Sequence, residues 1–445
     1  MPTVRLFKLH PLSRALKVLS VTPFLLFCEL SHARVLNPGE VLNINGSTPP
    51  DNYVLNGDST LNANGAQTRN ITVNQSTLNL KGSAVQATGA NGVHVNAGRA
   101  DIAGSNISSD RVGLAISRDA AATQGGSATV SDSAISGATA GATVNAMSSL
   151  TLQRSTLTGS GANGAGLRVF GGTATATDST ITGGGNGIQI TNDSQVSSPS
   201  TLVLNNTDVT ALNGSAIVVD TTNAQPSQAN IVVTNGSTLT ASNGILMDVR
   251  RGAEGDFRVD NSSLVGDIVA DGSSTAHVLL ENSATLTGRL ENVQSLAVNS
   301  NAKWVMVGDS KVGDLTLNGG GIQFGNPGEF FKLSVDSLSG SGGTFYMHNN
   351  FATGQIDTLV VTGNATGNHL IDLESSGSEP LAASSTPVVQ IGSGDAQFAL
   401  SKFVDLGAYS YDLVKQGDTD WYLNVGTKVI SPGSRSVHLR YGLAQ

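Results

Sequence analysis

Apolar and polar residues alternate in short runs along most of the chain, and the runs are closed by Gly, Asn or Ser-Gly. The pattern is plainest from Gly328 to Val425. There Phe331, Leu333 and Val335 share one phase, followed by Phe345 and Met347, Leu359 and Val361, and then Leu370, Ile371 and Leu373. Period-two spacing describes a half-buried strand, and Gly and Asn clusters mark the turns between strands. No window carries an i, i+3, i+4 apolar stripe with end caps, and Gly recurs too often for helices. The chain is predicted to be all-β.

From Asn70 the short strands repeat. The segments 105–117, 133–145, 155–169, 179–190, 207–219 and 237–249 each open on a small polar residue with an apolar one two places on. A Gly- or Asn-rich turn and a second strand follow. The aligned apolar positions Ile107, Ile135, Leu157, Ile181, Val209 and Leu239 lie 22 to 30 residues apart, with further strand runs between them. Two or three short strands per repeat of that length make one coil of a right-handed, single-stranded parallel β-helix, in which each coil buries its neighbours. Arg34 to residue 69, broken by Pro38-Gly39 and Pro49-Pro50, reads as an irregular cap over the open N-terminal edge. The repeats run over 70–321, less cleanly after Ala270. Asn106, Asn163, Asn186, Asn213 and Asn243 recur beside the turns; they either stack as a hydrogen-bonded ladder or serve left-handed turn positions.

Composition narrows the class. There are 53 Gly among 445 residues, with only 4% aromatic and 13% charged residues, which suits a stacked-strand rod better than a packed enzyme or a disordered chain. Residues 1–33 read as an export leader: Arg5, Lys8, Arg14 and Lys17 precede the apolar Val18 to Phe27, and Ser31-His32-Ala33 offers a cleavage site. Its removal takes away four basic residues and one acidic residue and moves the formal charge from −9 to −12. That excludes a basic stripe for nucleic acid. Cys28, the one cysteine, lies in the leader, so the mature chain has no disulfide, thiol nucleophile or Cys-based metal site.

The chemistry expected of a β-helix enzyme is not legible. Asp193, Asp208, Asp220, Asp248, Asp256 and Asp267 fall at different phases of the repeat, although acids of neighbouring rungs can still meet in space. His94, His277, His348 and His369 are isolated in sequence and read as strand or turn residues, so no metal or cofactor site is predicted. Gly183-Gly184-Gly185-Asn186-Gly187 lacks the acid of a calcium-binding nonapeptide. Arg250-Arg251-Gly252 through Asp256 is the densest charge cluster, either a contact loop or a solvated turn.

The C-terminal segment is different. Thirteen aromatic residues follow Ile322, whereas Arg34 to Gly321 holds only Tyr53, Phe170, Phe257 and Trp304. Large rings bury the most area, so 322–425 is predicted to be the best-stabilised part, with Phe331, Phe345, Leu359, Leu370, Tyr411 and Trp421 as a folding nucleus. Its run of Leu338-Ser339-Gly340-Ser341-Gly342, Phe345-Tyr346-Met347, Asp357-Thr358-Leu359, Gly363-Asn364-Ala365-Thr366-Gly367, His369-Leu370 and Glu379-Pro380 resembles the C-terminal passenger segment of pertactin-like autotransporters. So does Gly407-Ala408-Tyr409-Ser410-Tyr411-Asp412-Leu413, followed by Trp421-Tyr422-Leu423. The resemblance implies a β-helix capped by this segment, which helps the passenger fold after crossing the outer membrane. It also implies a secreted or surface-displayed, monomeric adhesin whose partner is a host-cell or matrix surface or a glycan. In that family a β-barrel follows; residues 426–445 read as a short tail without one, so a translocator supplied in trans is the implied export partner. Two alternatives share the fold: a polysaccharide-processing enzyme, and a passenger retained in the periplasm.

Overall fold

The structure, a computed structural model, describes residues 33–377, 385–406 and 409–425. The leader up to His32, the tail 426–445, Glu379-Pro380 and Gly407-Ala408 lie outside them. Among the described residues there is no helix. Strands stack in parallel, one rung on the next, as three faces of a β-helix. Face 1 is a 12-stranded sheet running from Arg34–Leu36 to Leu290–Glu291. Face 2 runs from Val41–Asn45 to Ser385–Gly394. Face 3 is an 8-stranded run from Gln67–Thr68 to Thr238–Ala241, continued by a second run from Ser263–Val265 to Gln397–Leu400.

The repeat alignment holds residue for residue. Ile107 pairs in register with Ile135, then Leu157, Ile181, Val209 and Leu239, each on the strand of the next rung. All are buried, forming one aliphatic column of the core. The small polar residue two places before each is equally regular. Ser83, Ser105, Ser133, Ser155, Ser179, Thr207, Ser237 and Ser262 are buried at the corner between faces 2 and 3. From Ser83 to Thr207, each backbone N–H donates to the hydroxyl of the following rung, at 2.9 to 3.4 Å. From Ser105 to Thr207 each hydroxyl also donates to the carbonyl two residues back, as Ser155 does to Gln153 at 2.8 Å, while Ser237 donates to Thr234 three residues back at 2.8 Å. The residue before each rung's hydroxyl sits at positive φ: Gly82, Gly104, Asp132, Arg154, Asp178, Asn206, Gly236 and Asn261. A left-handed residue followed by a hydroxyl therefore turns the chain sharply while leaving no buried amide unpaired.

The structure changes three expectations and explains a fourth. The strand ladder begins at Arg34, not at Asn70: the segment 34–69 forms regular rungs rather than an irregular cap, because Leu36, Ile44, Tyr53, Leu55, Leu61 and Ala63 alternate inward and carry the core through it. The prolines sit in the turns, where no ladder donor is needed. The untidy repeat after Ala270 has a geometric cause. Face 1 ends at Leu290–Glu291, and the later rungs are built on faces 2 and 3 alone, at first with short face 3 strands such as Lys303–Val305 and then with long pairs such as Lys332–Ser341 and Gly343–Asn350. None of the five turn asparagines has positive φ, and they do not stack on one another. Instead Asn186 accepts from the Ser215 amide at 3.1 Å and Asn213 donates to the Gly184 carbonyl at 2.6 Å, tying turns of adjacent rungs. Asparagines stack elsewhere: Asn43, Asn62 and Asn79 are bonded at 2.9 and 2.8 Å, and Asn56, Asn74 and Asn96 at 2.9 and 3.4 Å. Finally, Leu370 faces outward, 40% exposed, because His369, Ile371 and Leu373 take the inward phase and a period of two allows only one.

The far end is closed by a change of strand direction. Asp420–Val425 pairs antiparallel with Ser385–Gly394, and Tyr409–Gln416 pairs antiparallel with Asp420–Val425. The last parallel edge is thus covered by a hairpin instead of being left open to pair with another chain.

Candidate binding surfaces

Most corners turn in a few residues, but three connections from face 1 to face 2 are long: 118–126, 192–199 and 221–227. They are tied together across rungs. Arg118 donates to Asp193 at 2.7 Å and to Gln195 at 3.0 Å, and the Arg118 and Asp193 side chains are 10% and 4% exposed. Asp193 also accepts the Gln195 and Val196 amides, and Asn192 donates to Asn223. Phe170, Asn145, Asn192, Thr222 and Asn223 line a cleft of about 250 Å³ among these loops. The result is a preorganised polar surface with one aromatic face, the kind of lining that orients polar ligands. The Arg250-Arg251 cluster is satisfied within the fold: Arg250 pairs with Asp248 and Arg251 with Asp220, while Asp271 accepts the Arg251 amide.

A second surface runs along the outside of face 2. Parallel register stacks Asn230, Asp256, His277, Ser295, Asp314 and Ser337 in one outward row. The His277 Nδ1 lies 2.7 Å from the Ser295 Oγ, and Ser337 donates to Asp314 at 2.6 Å. Glu254, two residues before Asp256 on the same strand, points the same way and accepts from Gln228 at 3.0 Å. Donor atoms of Glu254, Asp256 and His277 all lie within 4.8 Å of one another. Partial desolvation holds the Asp256 carboxyl above the usual range; His277 opposes the shift and the Glu254 charge adds to it. Beside the row, Val232, Leu279 and Ala297 floor an apolar groove of about 390 Å³. Sequence reasoning missed this grouping because its members are about one coil apart, and only the strand register brings them together.

The residues predicted to form the folding nucleus are mostly interior. Phe345, Leu359, Tyr411 and Trp421 are buried, Phe331 packs against the core while part-exposed, and Leu370 is outside it. Phe398 links the rings: it meets Trp421 edge-on at 4.9 Å and Phe345 at 6.3 Å, while Phe351 stacks on Tyr411 at 4.2 Å. A buried polar knot joins the same rungs. Asp357 accepts the backbone N–H of Phe331 at 2.5 Å and of His348 at 2.6 Å, with the His348 ring 3.1 Å away.

The C-terminal part of this three-faced parallel β-helix, where the aromatic hairpin closes it, is similar in sequence to autotransporter proteins. Residues 312–425 match the family model described as Pertactin. The autotransporter adhesin/invasin TibA of Escherichia coli O78:H11 is 39% identical over 163 residues, 33% of this chain and 16% of TibA. The serine protease EspC of E. coli O127:H6 is 32% identical over 104 residues, 23% of this chain and 8% of EspC. Among solved structures, the autotransporter UpaB from E. coli strain CFT073 covers 89% of this chain and 100% of its own, at 14% identity and a TM-score of 0.44. The chain thus spans less than a fifth of the length of the curated relatives it matches.

Proposed function

We propose that the chain is an adhesin-type passenger, secreted or displayed at the cell surface as a monomer, that binds a host-cell or matrix surface or its glycans. One observation carries this reading: the long loops gather on one corner and are locked to each other by the buried Arg118–Asp193 pair, although a β-helix needs only short turns to fold. Ordering the loops before binding lowers the entropy lost on association. Protease added to intact cells of the native host tests display; protection of the chain would favour the periplasmic alternative. Binding of the purified protein to epithelial cells and to a glycan panel tests adhesion. Replacing 192–199 by a turn as short as Gly171-Gly172 should abolish binding while leaving the rod protease-resistant. Equal binding by that variant would sink the reading.

The enzyme reading draws on the Ser295–His277 contact. Two features weigh against it. The His277 ring makes no hydrogen bond to Asp256, so its orientation is not that of a relayed base, and the ladder already uses the surrounding backbone amides that an oxyanion would need. Depolymerisation of a polysaccharide, or esterase turnover lost in Ser295→Ala, would reverse this conclusion.

A further inference from the structure

The outward row on face 2 has a property that adhesion does not require. Glu254 and Asp256 stand two residues apart on the strand Glu254–Asp260, so both carboxylates project from one side, and His277 lies beside Asp256 on the next rung. Rungs are ~4.8 Å apart, which brings side chains of adjacent rungs within reach of a common ion. Nearby cations do not neutralise these acids, since Arg258 pairs with Asp260 and Glu281 instead. The imidazole is already oriented: Ser295 holds Nδ1 and leaves Nε2 free. Fixing one ring nitrogen by a hydrogen bond while the other binds is how ligating histidines are held. The rung carrying Ser295 is irregular at this point, because the register with Thr275–Glu281 slips between Ala276 and His277. Such a bulge re-aims neighbouring side chains and is common beside functional sites.

We propose that Glu254, Asp256 and His277 form a binding site for a divalent first-row transition ion of the zinc class, with Ser295 as the positioning residue for His277. One imidazole and two carboxylates make a borderline donor set that suits such ions better than calcium, which prefers an all-oxygen shell. Zinc bonds of about 2.0–2.2 Å to nitrogen and oxygen would bring the donors to roughly 3.3 Å apart. Asp256 is exposed, so core packing does not lock its side chain against that approach. Three protein ligands leave a coordination position open toward the apolar groove of Val232, Leu279 and Ala297, where an oxygen ligand could complete the shell. The inference is independent of the adhesin reading, because metal uptake can be present with or without cell binding.

The test is equilibrium binding of Zn²⁺, by calorimetry and by the visible spectrum of Co²⁺, to the purified chain and to outward-facing variants. The expected result is saturation at one ion per chain. Affinity should fall at least tenfold in His277→Ala and in Asp256→Asn, fall about tenfold in Ser295→Ala, and be unchanged in His94→Ala. Excess Ca²⁺ should not displace the bound ion. Non-saturating uptake, affinity indifferent to His277→Ala and Asp256→Asn, or displacement by Ca²⁺ would overturn the assignment. Because these side chains face solvent, both variants should unfold at the same urea concentration as the parent without metal. If either misfolds, the Co²⁺ spectrum of the parent decides alone, with an absence of tetrahedral or five-coordinate bands counting against the site.

Discussion

Ser155→Ala isolates the rung-to-rung hydroxyl contact. The Ser155 hydroxyl accepts the Ser133 amide at 3.2 Å and donates to the Gln153 carbonyl at 2.8 Å. Alanine removes both bonds with little change in volume. The Gln153 carbonyl keeps a second donor, the Asp132 amide at 3.1 Å, but the Ser133 amide loses its partner in a corner where both residues are buried. Leaving a buried donor unpaired costs about 1–3 kcal/mol; with one orphan and one spared carbonyl, about 2 kcal/mol is expected. Threonine should recover most of that, since Thr207 occupies the equivalent place, accepting from Ser179 at 3.4 Å and donating to Asn205 at 3.0 Å. Urea unfolding followed by circular dichroism measures the loss, and hydrogen exchange at the Ser133 amide locates it. A neutral Ser155→Ala with that amide still protected would mean that another group satisfies the corner and that the ladder is incidental.

Other expectations concern the cap and the loops. Trp421→Ala should cost about 3–5 kcal/mol and expose the last rungs to protease; a chain ending at Gly321 that refolds as fast and as stably as the parent would refute the nucleus proposed for 322–425. Burial pushes the Asp357 carboxyl up to about 6, against the N–H donors of Phe331 and His348. Its proton is then held more tightly in the fold than in the unfolded chain, so cap stability should fall as pH rises from about 4 to about 6 and level off above. Melting curves of Asp357→Asn should lack that slope, and an unchanged slope would refute the assignment. Arg118→Ala strands a buried carboxylate on Asp193 and should cost about 3–5 kcal/mol, read as rapid cleavage within 192–199; a loop that stays resistant would show that the pair does not hold it.

What could be read from the sequence follows from what repeats. Ile107, Ile135 and Leu157 occupy one chemical environment rung after rung, so their spacing and the hydroxyl two places before them were visible as a pattern. The cap was visible through its concentration of rings. Leu370 was misplaced because Leu370 and Ile371 are adjacent and both apolar, and hydrophobicity alone does not choose which of two neighbours faces inward. The segment 34–69 reads as an irregular cap in sequence because Pro38 and Pro50 break it into pieces, and strands as short as Arg34–Leu36 show too little alternation to stand out between those turns. His277, Asp256 and Glu254 could not be grouped from sequence at all. Their proximity depends on the lengths of three intervening turns, and a slip of one residue would send His277 to the other side of the strand.

The hydroxyl corner also has a direction. In each pair the amide belongs to the earlier rung and the hydroxyl to the later one, as with Ser133 and Ser155. A rung docking onto a finished neighbour on its C-terminal side finds its acceptor already in place, whereas growth the other way leaves each new amide bare until one more coil arrives. Over these rungs the stack therefore works as a ratchet biased toward assembly from Ser237 back to Ser83. Pulse-labelled hydrogen exchange during refolding should record it as protection reaching Thr207 before Ser155 and Ser155 before Ser83, and the reverse order would show that the ratchet does not operate.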